Sequence, residues 1–166
     1  AGNLVFSGAN SYTGSTTITA GTLQLSASER ISNNSNVVLN GGTFSSGAST
    51  GFTETAGTLN LNANSTIALG TGSHSIIFSA SNGVSWAGTT LTVTGWTGSS
   101  GQSGSAGKIF VGSNTSGLTS TQLDKINFAG YNNGADILST GEVVPRCGNP
   151  TSGGTIASGQ SIFSGG

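Results

Sequence analysis

The 166-residue chain is poor in charge, cysteine, proline and histidine. Only 5% of its residues are charged, whereas an ordinary soluble domain has about 25%. Its four lysines and arginines are scattered and cannot neutralise a run of phosphates, which excludes nucleic acid as a partner. A single cysteine provides neither a disulfide framework nor a metal cluster. We therefore expect no bound metal or cofactor.

Long apolar runs are also missing. No stretch approaches the roughly 18 apolar residues that a membrane span needs, so no span is expected. The chain does not open with a basic segment followed by an apolar one, and we expect any export signal to lie upstream. Hydroxyl and amide side chains replace charge on the surface, which favours an extracellular protein.

Glycine is abundant, with 29 residues, and the sequence contains an internal repeat. The segment 16–25 returns 36 residues later as 52–61, and a related strand-glycine-strand pattern spans 36–44. Repeats of about 20 to 50 residues are typical of arrays whose units bury their apolar faces by stacking. Glycines are expected at the corners, where a positive φ is free of steric cost: Gly21, Gly41, Gly42 and Gly57.

Short segments with alternating apolar residues predict strands throughout the chain. Strands this short, with few two-residue hairpin signals, favour a solenoid over an antiparallel sandwich. We predict an all-β fold, a single-stranded right-handed parallel β-solenoid (β-helix) with a C-terminal cap that contains one short helix. The strands are expected near these positions: 3–6, 22–25, 36–39, 66–69, 75–78, 90–94, 108–111, 126–128, 135–138 and 142–144.

Three regions are predicted along the chain. Residues 1–83 form solenoid repeats, 84–145 the C-terminal rungs and cap, and 146–166 a linker and the start of a following module. The helix is expected over 118–126, about two turns long, because Thr119 can cap it and Gln122 completes a capping box. A cap is needed because open strand edges template aggregation.

We find no pattern that predicts catalysis, and we expect that the protein is not an enzyme. His74 is interpreted as a polar turn residue, no Gly-x-Ser-x-Gly motif occurs, and no calcium-binding nonapeptide is present. The acids are spread over the chain: Glu29, Glu54, Asp124, Asp136 and Glu142.

Three aromatic residues are candidate surface contacts for a ligand: Tyr12, Trp86 and Trp96. The two tryptophans have an alternative interpretation as core residues, because an indole fills a core as readily as a binding site.

The segment Asn10-Ser11-Tyr12-Thr13-Gly14, followed by a threonine-rich strand and Gly21-Thr22-Leu23, resembles the autotransporter-associated β-strand repeat. This is the passenger repeat of large bacterial surface proteins. Residues 118–145 resemble the segment that closes such arrays. The resemblance implies a parallel β-helix exported to the cell surface, and it brings no catalytic residues.

The C-terminal tail resembles a different family from the one that the N-terminal part of the chain resembles. Residues 153–156 and 160–162 resemble the start of Ig-like modules in long secreted proteins of the Bacteroidetes, which implies the type IX secretion system. In those modules a cysteine stands where this chain has Phe163, so the partner that the resemblance implies for Cys147 is missing here.

The function expected from these observations is that of a structural or adhesive segment of a large secreted bacterial cell-surface protein, an adhesin-like stalk. Its expected partners are other domains of the same chain, the bacterial secretion machinery, and surface glycans or other cells. One alternative is a passive cargo scaffold without a ligand. Lesser alternatives are a glycan-binding or an ice-binding solenoid, the latter through the Thr-x-Thr pairs Thr17/Thr19, Thr53/Thr55 and Thr92/Thr94.

Overall fold

The computed structural model describes residues 2–47, 49–131 and 133–148. Within them the chain forms thirteen strands and one short helix. The elements are β1 (Asn3–Phe6), β2 (Thr16–Ile18), β3 (Thr22–Leu25), β4 (Val37–Asn40), β5 (Thr43–Ser45), β6 (Thr53–Ala63), β7 (Ser65–Ala68), β8 (Ser75–Ser79), β9 (Leu91–Thr94), β10 (Lys108–Val111), α1 (Ser120–Leu123), β11 (Ile126–Phe128), β12 (Ala135–Ile137) and β13 (Glu142–Pro145).

The strands form two sheets, and the chain passes from one to the other as it winds. One sheet has the order β1-β3-β5-β7-β9-β11, and the other has the order β12-β13-β10-β8-β6-β4-β2. Among these strands, pairing is parallel except where β13 joins β10 and β12. This confirms the parallel β-solenoid. Its right-handed winding stays a prediction, based on the general rule for parallel crossovers.

One coil is shorter than the repeat seen in the sequence. Thr16 pairs with Val37, 21 residues further along, and Val37 pairs with Leu59 after another 22. The two copies of Ala-Gly-Thr-Leu lie in different sheets, since Leu23 pairs with Phe44 in the first sheet and Leu59 with Val37 in the second. The 36-residue repeat is therefore not the structural repeat.

The glycine of each Ala-Gly-Thr-Leu copy explains how the same four residues take two backbone conformations. Gly21 has φ +70° and turns a corner between β2 and β3, and Gly41 has φ +114°. The prediction is wrong for Gly57, which lies inside β6 where the strand bends from one neighbour to the next. A Cβ at Gly57 would lie 2.5 Å from Oδ1 of Asn36, so close packing rather than a positive φ requires glycine there. Gly42 likewise lacks a positive φ.

Apolar residues stack in register inside the coils. The inner stack, as we call the central row of the first sheet, consists of Leu4, Leu23, Phe44, Ile67, Val93 and Phe128. All of its members are buried except Leu4, which is 60% exposed because β1 is the last strand of its sheet. Each buried side chain of this size contributes roughly 1.5 to 3 kcal/mol. Leu25, Leu39 and Leu61 are fully buried as well.

The C-terminal end is closed by different elements. The capping box of Thr119 and Gln122 is confirmed, but α1 has one turn instead of the expected two. It ends early because Ile126 enters β11 and pairs with Leu91. The pairs β8–β10 and β9–β11 continue the parallel stacking past residue 83, and the antiparallel β12–β13 hairpin then covers the edge of β10. The predicted module beyond 148 lies outside the described residues.

Candidate functional site

The Asn-x-Tyr-Thr-Gly segment lies in the first coil and contacts the second. The side-chain amide of Asn10 donates to the carbonyl oxygens of Gly8, at 3.1 Å, and Arg30, at 2.8 Å. Because Arg30 lies one coil further along, Asn10 ties the two coils together. These contacts give the motif asparagine a structural role.

Tyr12 belongs to the same junction. Its hydroxyl lies 2.6 Å from the hydroxyl of Thr16, which lies 2.8 Å from that of Ser35, and Ser35 in turn donates to the carbonyl of Gly14. The ring is half-buried and packs against the core. Thr16 and Ser35 are buried, so this polar chain is satisfied internally. As a ligand contact, Tyr12 offers only part of its ring.

Trp86 is buried, which agrees with the core interpretation offered for it. It is 7% exposed, and its indole N–H donates to the carbonyl of Leu59 at 3.1 Å. Trp86 also lines an open cleft of about 340 Å³. Its other lining residues include Asn82, Val84, Thr121 and Lys125, whose ammonium group donates to the carbonyl of Trp86.

Trp96 is also buried, at 5% exposure, and packs edge-on against the rings of Phe128 and Tyr131. The following loop folds over it so closely that a Cβ at Gly104 would lie 2.7 Å from the indole nitrogen. The core interpretation is therefore the one that fits both tryptophans. Contact of Tyr12, Trp86 or Trp96 with a ligand stays a prediction.

The carboxylates of Glu142 and Glu54 hold loops in place. The sequence analysis gave both only as members of a group of scattered acidic residues. Glu142 is buried and accepts from the hydroxyl of Ser103 at 2.7 Å and the backbone N–H of Gly104 at 2.8 Å, with the ammonium of Lys108 at 3.9 Å. These hydrogen bonds hold the loop that contains Ser103 and Gly104 and covers Trp96. Glu54 is 1% exposed and accepts from the backbone N–H groups of Arg30, at 2.7 Å, and Ile31, at 2.6 Å.

Burial raises the pKa of Glu54 above its ordinary value, and the two backbone hydrogen bonds only partly oppose this shift. A raised folded-state pKa means that folding favours the protonated form. Its contribution to the free energy of unfolding is then complete below the unfolded pKa and is lost as the pH rises through the folded one. The ionised form of Glu54, present at higher pH, lowers the free energy of unfolding relative to the protonated form.

We expect the wild type to gain stability relative to Glu54→Gln as the pH falls. The difference between their free energies of unfolding, wild type minus variant, rises from pH 7 to about pH 4. Urea denaturation at a series of pH values measures both proteins, and the difference cancels the titration of the other groups. Glutamine retains one acceptor oxygen for the 30–31 loop and serves as the non-titrating reference. A difference that falls with decreasing pH would contradict this role for Glu54.

His74, which the sequence analysis interpreted as a polar turn residue, is fully buried. Its Nδ1 accepts from the backbone N–H of Phe52 at 3.0 Å, and the two rings lie 5.5 Å apart. Among the residues that the structure describes, no three of the His, Cys, Asp and Glu side chains group together in a way that could hold a metal ion. Through its hydrogen bond with Phe52, His74 supports the coil.

The Thr-x-Thr pairs do not form one array. Thr17 lies in β2, Thr53 and Thr55 lie in the first half of β6, and Thr92 and Thr94 lie in β9. Their register partners differ in kind: Thr17 pairs with Val38, and Thr55 pairs with Ile77. The lesser alternative of a ladder formed by these pairs is therefore wrong, because similar sequence segments occupy different sides of the coil.

A comparison with known protein families gives a match at the start of the chain. The family model Passenger-associated-transport-repeat matches residues 1–25. A search of the curated proteins and one of the solved structures each gave no significant match. In the described part of the chain, no helix is long and apolar enough to cross a membrane.

The matched segment coincides with one turn of the structure. It runs from β1 through β2 to β3, where Leu4 of β1 pairs with Leu23 of β3. The repeat indicates a secreted or surface-exposed protein of the passenger type. The chain is thus a parallel β-solenoid whose first coil matches the family model of the passenger-associated transport repeat.

Proposed function

We propose that this chain is an adhesin-like stalk on the bacterial cell surface, which acts by binding and not by catalysis. The observation that carries the proposal is the coincidence of the passenger repeat with one coil of a continuous solenoid. Backbone pairing links each coil to the next through two sheets, which makes a stiff rod suited to holding a binding surface away from the cell.

The cleft beside Trp86 is the proposed contact for a surface glycan or another cell. It is concave, and Trp86 lines it together with the polar residues Asn82 and Thr121. An aromatic residue next to hydrogen-bonding groups suits a sugar, which has apolar and hydroxyl faces. Lys125 is already bound to a backbone carbonyl, so the proposed ligand is neutral.

The alternative is a passive cargo scaffold, and a specific observation favours it. Both tryptophans are buried, and the N–H of Trp86 is used within the protein. The resemblance of the tail supports export by the type IX secretion machinery of the Bacteroidetes, with other domains of the same chain attached. Under this alternative the solenoid connects those domains and retains no ligand.

Binding of the full chain to a glycan array and to whole cells separates the two functions. We expect retention by specific neutral glycans that is lost in Asn82→Trp, which fills the cleft, and kept in Thr17→Trp. Both positions are exposed, so the second variant controls for adding an indole to the surface. No retention of the wild type contradicts the adhesin and supports the scaffold, and equal loss in both variants contradicts the cleft.

A further inference from the structure

A ladder of threonines lies on the outer face of the first sheet, and no Thr-x-Thr pattern reveals it. The threonine ladder consists of Thr22, Thr43, Thr66 and Thr92, which are register partners in β3, β5, β7 and β9. Asn3 and Asn127 continue it at the two ends. The four threonines are 21, 23 and 26 residues apart along the chain, so only the coil geometry brings them together.

The ladder's hydroxyl groups are available to a ligand. Each threonine is half-buried and alternates with a buried residue of the strand, so its side chain faces outward. Within the described part of the chain, none of the four hydroxyls takes part in a hydrogen bond with another protein group. A shallow groove of about 310 Å³ follows Thr43, Thr66 and Thr92.

The spacing of these hydroxyls is fixed by the fold. Neighbouring strands of a sheet lie about 4.8 Å apart, which sets the separation along the ladder. Threonine is stiff at χ1 because it is branched at Cβ, so few conformations are lost when the hydroxyl is fixed by a partner. The result is a row of preorganised hydroxyl and methyl groups at regular intervals.

The row next to the ladder is also uncharged. It consists of Val5, Gln24, Ser45, Ala68 and Thr94. Neither row contains a charged side chain that would bind its own hydration shell. Only one of these residues, Gln24, has a long flexible polar side chain. Two adjacent rows of neutral residues, most of them small, make a regular surface.

We propose that the threonine ladder orders water in a lattice and binds ice. A regular, neutral array of hydroxyls and methyls matches a repeating lattice of water molecules, whose donors and acceptors can pair with every rung. A glycan fits less well, because neither row has an aromatic ring on which a sugar could stack. This activity goes beyond the proposed adhesion and uses a different surface from the cleft beside Trp86.

Thermal hysteresis and inhibition of ice recrystallisation test the proposal on the full chain. We expect both activities in the wild type, with loss of activity in Thr66→Lys, which puts a charge in the middle of the ladder. Thr43→Lys is a second variant of the same design. Thr17→Lys is the matched control, because Thr17 is exposed on β2 of the other sheet, and it is expected to keep wild-type activity. Circular dichroism and the melting temperature check that each variant is folded.

Absence of hysteresis and of recrystallisation inhibition in the folded wild type would overturn the proposal. Full activity in folded Thr66→Lys and Thr43→Lys would also overturn it. Binding of glycans without any effect on ice contradicts the ladder's proposed ligand and leaves the adhesion proposal standing, since the two assays use different surfaces.

Discussion

Leu59→Asp is expected to prevent folding, whereas Thr17→Ala is expected to leave the melting temperature almost unchanged. Leu59 is 1% exposed and lies between coils as the register partner of Val37. Losing the leucine side chain alone costs about 2 to 5 kcal/mol, and burying an unpaired carboxylate adds several more. The free energy of unfolding of a whole domain is about 5 to 15 kcal/mol, so this single substitution removes most of it.

Circular dichroism and a thermal melt of purified protein measure this effect. Leu23→Asp is expected to behave in the same way, because Leu23 belongs to the inner stack and is buried. Thr17 is exposed, and its neighbours on either side, Thr16 and Ile18, are buried. Equal tolerance of the two aspartates and the alanine would contradict the assignment of inner and outer positions.

Phe44→Ala is expected to lower the free energy of unfolding by about 3 to 5 kcal/mol, the usual cost of emptying the site of a buried phenylalanine. Phe44 is fully buried and lies in register between Leu23 and Ile67. Removing its ring leaves a cavity between two coils that the stiff backbone pairing cannot close. Urea denaturation measures the loss.

The matched control is Phe110→Ala. Phe110 is half-buried and lies on the outer face of β10, where it pairs with Ile77. The same chemical change is expected to cost only about 1 kcal/mol there, since little of the ring leaves a packed site. If Phe110→Ala cost as much as Phe44→Ala, the inner stack would not be the main source of stability.

Local sequence patterns predicted the strands well. The segment 108–111 is a short, mostly apolar run bounded by glycines, the segment 126–128 alternates in hydrophobicity, and both form strands at those positions. The capping box at Thr119 was also predictable, because it depends on two residues three positions apart. These features are local, so the sequence contains all that determines them.

The assignment of strands to sheets could not be predicted in the same way. Gly21 and Gly57 occupy the same position in the two copies of Ala-Gly-Thr-Leu, but Gly21 turns a corner and Gly57 lies inside a long strand. What decides between them is the register with neighbouring coils, including the close approach of Asn36 to Gly57. Similarity within the sequence therefore gave a repeat of the wrong length.

The same physical reason explains what was missed in the candidate sites. Glu54 contacts the 30–31 loop from one coil away, and the members of the threonine ladder share no local motif. The tryptophans were expected on the surface as well as in the core, because an indole suits both, and packing against partners such as Phe128 decided the outcome. Each of these depends on contacts between coils.

The central claim is that neighbouring coils pair in parallel register. Nuclear Overhauser contacts between backbone protons of the full chain test it most directly, because they report which strands lie side by side. We predict contacts from Leu23 to Leu4 on one side and to Phe44 on the other, and from Phe44 to Ile67. Antiparallel contacts between consecutive strands, such as β2 with β3, would contradict the solenoid.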